Sequence, residues 1–92
     1  MLFEWDPKKN AINIQKHGLD FNDVVDMFTT PMLVKSEAYG DFDEERWIGL
    51  GMISVHIAVV VYTERYDNVI RIISARKATK REKENYAKHI KN

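Results

Sequence analysis

The densest gathering of chemically capable side chains in this sequence runs through Thr63-Glu64-Arg65, Arg71, Ser74-Ala75-Arg76-Lys77 and, further on, Tyr86. Permanent positive charge interleaved with hydroxyls suits phosphate chemistry. An arginine at a strand end offers a phosphate two parallel N–H donors and stabilises the charge that builds as an oxygen attacks it. Lysine cannot reproduce that fork, so Arg65 and Arg76 rank first, with Arg71 behind them. For each arginine the competing role is a surface ion pair, and Arg71 could simply alternate out of a sheet. Tyr86 is open between two roles: a core residue of a weakly apolar helix, or a hydroxyl acting on the reacting group.

Several other chemistries find no support. Without cysteine there is neither a thiolate nucleophile nor a disulfide framework, which fits a reducing cytoplasm. His17, His56 and His89 are far apart, and no helix pairs a histidine with a carboxylate in a zinc-binding pattern, so neither metal nor cofactor is expected. Gly49-Leu50-Gly51 lacks the following helix and lysine of a phosphate loop. His56 reads as a strand histidine on a half-buried face. His17 falls at a helix end, where a cation complements the helix dipole. For proton transfer the candidates are Tyr86, Lys77, Glu64 and His17, and an unshifted lysine or tyrosine is a poor base at neutral pH.

The elements that must position these groups follow from periodicity and punctuation. Phe3-Glu4-Trp5 predicts a short strand, and Asp6-Pro7 a capped helix that stops at Gly18. Phe21, Val24, Val25 and Phe28 form one apolar helical stripe ended by Thr29-Thr30-Pro31. Met32 to Ala38 predicts a strand, followed by an acidic loop from Tyr39 to Glu45. From Arg46 the alternation is that of a strand with a thin second face, and Val55 to Thr63, apolar on both parities, reads as a central strand. Arg65-Tyr66-Asp67-Asn68 supplies a turn before Val69 to Ala75. Thr79 and Glu82 make a capping box for a last, loosely docked helix. The expectation is an α+β fold, an antiparallel sheet with helices packed on one face and a C-terminal helix.

At 92 residues, 45% of them hydrophobic, the chain has the size of a single domain over residues 1–92. Its apolar stretch Ile57 to Tyr62 is too short to span a bilayer, and no membrane association is expected. The zero net charge hides a split. Residues 1–70 carry six basic against twelve acidic side chains, and residues 71–92 eight against two. A basic end could hold a polyanion while the acidic remainder limits indiscriminate binding.

The chain resembles the BrnT family of toxins over nearly its whole length. The resemblance rests on Phe3-Glu4-Trp5-Asp6-Pro7, Lys16-His17-Gly18, Asp26-Met27-Phe28 with Pro31, Glu45-Arg46-Trp47, Thr63-Glu64-Arg65 and Arg71-Ile72-Ile73-Ser74-Ala75-Arg76, closing on Ala78-Thr79-Lys80-Arg81-Glu82. It implies a RelE-like fold and RNA cleavage that stops translation. It also implies neutralisation by a ribbon-helix-helix antitoxin of the BrnA type that represses the shared operon, the complex binding operator DNA through the antitoxin. Carried over, Arg65 and Arg76 hold phosphate and Tyr86 matches a late aromatic hydroxyl. Arg71, Lys77, Arg81, Glu64 and His17 are the substrate-binding candidates. Attack by the RNA 2′-hydroxyl then needs no metal. A rival reading is a non-catalytic module that binds nucleic acid or a partner through its basic C-terminal region.

Overall fold

The computed structural model describes residues 1–37 and 45–90; most of the acidic Tyr39 to Glu45 loop lies outside them. Strand β1 (Leu2–Glu4) leads into helix α1 (Pro7–His17). Asp6 starts α1 by accepting the Lys8 N–H at 2.8 Å, and Gly18 ends it at φ 71°, donating its N–H to the Ile14 carbonyl. The left-handed conformation costs a glycine little. Asp20 then caps the single turn α2 (Phe21–Val24), which tightens into a 3-10 segment, Val25–Thr29. At three residues per turn, positions i and i+3 eclipse. Phe21, Val24 and Met27 are therefore all fully buried, while Val25 and Phe28 of the expected 3.6-residue stripe are only half-buried.

Strands β2 (Leu33–Glu37), β3 (Arg46–Ile53), β4 (His56–Arg65) and β5 (Val69–Lys77) form the expected antiparallel meander. The sheet order is β1-β5-β4-β3-β2, and β1 joins the edge parallel to β5, with Phe3 beside Ile70. The α+β fold is as read from the sequence, but the sheet is mixed rather than wholly antiparallel. A three-residue strand has too little alternation to reveal its direction.

Helix α3 (Lys80–Ile90) also departs from the one-faced arrangement. Ala58, Val60 and Tyr62 of β4 pack with Phe21, Val24 and Met27, whereas Val59 of the same strand packs with Leu50, Ala78 and Tyr86. Alternate residues of a strand point to opposite faces, so α3 covers the face opposite α2. The thin second face of β3 has a reason as well: a Cβ on Gly51 would stand 2.8 Å from Met32 Cγ.

Two features of β5 aim its side chains. Val61 pairs with Ser74 and Tyr62 with Ile72, so Ile73 is an extra residue, a β-bulge. The bulge puts Arg71 on the same face as Ser74 and Arg76, which unbroken alternation would forbid. Beyond the end of β1 the outer edge of β5 is taken over by α1. Buried Asn13 accepts the Ala75 N–H at 3.1 Å and donates to the Leu19 carbonyl at 2.9 Å. Replacing Asn13 by Ala orphans a buried amide and should cost about 1–3 kcal/mol in urea denaturation. An unchanged midpoint would mean that α1 does not close this edge.

Candidate functional site

One turn beyond Asn13 on the same face of α1, His17 reaches over the rim of the sheet. There it lines a hollow of about 120 Å³ with Ile48, Val59, Val61, Ser74, Ala75 and Arg76. An adjoining hollow of about 240 Å³ shares the Ile48 and Val59 floor and adds Lys35, Glu82 and Asn85. Together they make a groove across the sheet beside α3. Its floor is aliphatic, and imidazole, hydroxyl, guanidinium, ammonium and amide groups stand on its walls.

Arg76 is held by a two-pronged ion pair. Its Nη1 donates to Glu82 Oε1 at 2.8 Å and its Nη2 to Glu82 Oε2 at 2.9 Å. Glu82 Oε1 also accepts the Thr79 N–H at 2.8 Å, and Thr79 Oγ1 accepts the Glu82 N–H at 3.2 Å. The expected capping box is thus present, and one carboxylate both starts α3 and orients Arg76. The Arg76 hydrogen bonds, and then the Thr79 amide, hold the Glu82 carboxyl down to about 2 against the opposing effect of burial. The same pairing makes Arg76 hold its proton more firmly. A guanidinium has five N–H donors, so Arg76 keeps donors for an incoming anion.

The remaining sequence candidates do not share this groove. Arg65 and Arg71 gather instead around Glu4, with Arg71 Nη1 donating to Glu4 Oε2 at 2.9 Å and Arg65 Nε 3.7 Å from the same oxygen. Arg65 lies in register with Val69, and Arg76 with Val59. Six residues of β4, about 20 Å of strand, separate the two registers, so the arginines ranked first do not meet at one phosphate. Tyr86 is 8% exposed, packs with Leu50 and Val59, and donates its hydroxyl to the Pro31 carbonyl at 3.0 Å. Glu64 is exposed and, one residue on from Thr63, points to the opposite face. Lys77 is exposed beside His56 and Lys83 at the far hairpin, and Arg81 is exposed on the first turn of α3. His56 itself is exposed rather than half-buried.

Sequence reasoning read Glu82 only as a cap and passed over Asn13 and Glu4. The spacing of four between Asn13 and His17 was a signal, since it sets a buried anchor and an exposed imidazole on one helical face. Among the described residues no group of three or more His, Cys, Asp or Glu is placed to hold a metal ion. Nor is any helix long and apolar enough to cross a membrane.

Fold and groove define a small α+β protein whose open sheet face carries an imidazole, a clamped guanidinium and an ammonium around an aliphatic floor. The family model for the ribonuclease toxin BrnT of type II toxin–antitoxin systems matches residues 5–82, and the chain belongs to that family. A solved structure, the Brucella abortus ribonuclease toxin BrnT, superposes with a TM-score of 0.70 at 28% identity, covering 87% of this chain and 100% of that one. The comparison with curated proteins gives no match. Membership makes the chain a ribonuclease toxin whose partner is a protein antitoxin.

The Glu82 shift carries a pH dependence. Its folded-state value, about 2, lies below the ordinary 4.5, so the folded protein binds fewer protons and stability rises with pH through that window. The contribution is complete above about 4.5 and lost as pH falls towards 2. Glu82→Gln should flatten the acid limb of a stability-versus-pH curve there, and an unchanged limb would show that the pair contributes nothing in solution.

Proposed function

We propose that the His17–Arg76 groove is the RNA-cleaving site of this toxin and that it works without a metal. The observation that carries the proposal is the shared hollow: an imidazole from the first helix and a clamped guanidinium from the last strand face one cavity. The attacking group belongs to the substrate. The RNA 2′-oxygen loses its proton to a base and bonds to the adjacent phosphorus, and the 5′-oxygen leaves with a proton. The products are a 2′,3′-cyclic phosphate and a 5′-hydroxyl. Arg76 stabilises the charge on the pentacovalent phosphorus, its orientation set in advance by Glu82. His17, exposed and beside Ser74 and Arg76, serves as proton acceptor or donor.

The exposure of His17 and its place beside Ser74 and Arg76 favour it over Lys77 and Glu64, which stand elsewhere. Tyr86, with its hydroxyl already committed to Pro31, anchors α3 and so holds Glu82 in place. The lysines and Arg81 of α3 supply long-range attraction for RNA. We assign the partner as a ribbon-helix-helix antitoxin that carries operator DNA binding, and the working compartment as the cytoplasm. Residues 1–92 act as one domain.

The test is incubation of the antitoxin-free protein with a defined RNA in excess EDTA, followed by end-group analysis. Wild type should leave cyclic-phosphate ends. Arg76→Lys should be as inactive as Arg76→Ala, since a point charge does not replace the fork, and His17→Ala should be slower by about 10²–10⁴-fold. If Arg76→Lys keeps most of the activity, Arg76 supplies charge alone and the binding-module reading gains. If no cleavage occurs on free or ribosome-bound RNA, the catalytic reading falls.

A further inference from the structure

The sheet face that carries the groove also carries, at its other end, an unbroken row of polar side chains across all five strands. In register order it reads Glu37, Arg46, Thr63, Arg71, Glu4. A carboxylate closes each end, a guanidinium stands inside each carboxylate, and a hydroxyl lies at the centre. The bulge at Ile73 is what brings Arg71 into this row.

The central hydroxyl is the anomaly. Thr63 is 4% exposed, and its Oγ1 is buried with no hydrogen-bond partner, the one side-chain polar atom so found among the described residues. Leaving such a group unpaired is costly, and valine would fill the same space on a central strand without that cost. The two arginines flanking it belong to long, half-buried side chains that can move aside. Glu4 orients Arg71 through one Nη1 bond and leaves its other donors for a ligand. A hydroxyl flanked in register by two guanidiniums, in a row whose charges sum to zero, makes a tetrahedral-anion site that does not attract anions indiscriminately.

We propose that the Arg46–Thr63–Arg71 row is a second phosphate subsite, which holds a phosphodiester of the RNA at a distance from the one that is cut. The proposal rests on the ribonuclease reading for the identity of the ligand. Four residues of β4, about 13 Å, separate Thr63 from Val59 beneath the groove, so an extended strand laid along β4 and β5 crosses both places. The row next to Thr63, made of Ile48, Val61 and Ser74, already lines the groove, so the two places adjoin along the sheet. The subsite anchors RNA by its backbone. It therefore secures the strand whatever its sequence and leaves base choice to the groove.

The experiment measures binding rather than cleavage, so it stands even if the catalytic reading fails. The probe is a fluorescent single-stranded RNA with 2′-O-methyl riboses, which cannot attack their own phosphates, titrated at several salt concentrations. Thr63→Val should melt no lower than wild type and bind the probe about tenfold more weakly, the value of a hydrogen bond to a charged group. Arg46→Gln and Arg71→Gln should each lower the salt dependence by about one released counterion. Unchanged affinity in Thr63→Val together with unchanged salt slopes in both arginine variants would overturn the proposal. So would wild-type RNA binding accompanied by loss of antitoxin binding, which would make the row a protein-partner surface.

Discussion

The outer edge of β5 is the constraint around which the molecule is arranged. A buried strand edge must have its amides paired, and here two elements share the duty. β1 pairs with Val69 to Arg71, and beyond it Asn13 of α1 takes the Ala75 amide. That single bond sets the height of α1 along the sheet. With His17 one turn further on, it also sets which part of β5 the imidazole overlooks. An edge-sealing hydrogen bond and the assembly of the groove are therefore one geometric fact, and only the chain beyond the end of β1 has room for it.

A second organising device is the separation of work between the two faces of the sheet. One face buries Phe21, Val24 and Met27 against Val60, Tyr62 and Ile72 and supplies most of the apolar contact. The other is covered only in part, by α3, through the smaller cluster around Leu50, Val59 and Tyr86. This leaves polar side chains of β3, β4 and β5 standing on a rigid floor. A site built on strands keeps its geometry better than one built on loops. Pairing with Glu82 gives Arg76 both position and a fixed charge state, and the same carboxylate ties the helix to the strand.

Much of this was legible in the residues. Caps, breakers and alternation located the strands and the first and last helices among the described residues, because Asp6-Pro7, Gly18 and Thr79 with Glu82 act through their immediate neighbours. Long-range relations were not legible. The direction of β1 depends on a partner at the other end of the chain, and the side on which α3 docks depends on how Ala78 and Tyr86 meet Leu50 and Val59. The site suffered from the same limit. Arg65 and Arg76 are chemically alike and close in sequence, yet a hairpin carries them apart, while His17 and Arg76, distant in sequence, come together. The bulge at Ile73 leaves no mark in the local pattern, and it decides which face Arg71 joins.

The contact between the two ends of the chain also bears on when the toxin exists at all. Glu4 meets Arg71 across 67 positions of sequence, and Asn13 meets Ala75 across 62. A nascent chain emerging at about 5–20 residues per second presents α1 and β1 seconds before β5 is available to receive them. Until then the imidazole and the guanidinium belong to separate, unfinished parts. Pairings this distant in sequence form slowly. The groove is therefore among the last features of the molecule to form, because both of its walls wait on β5.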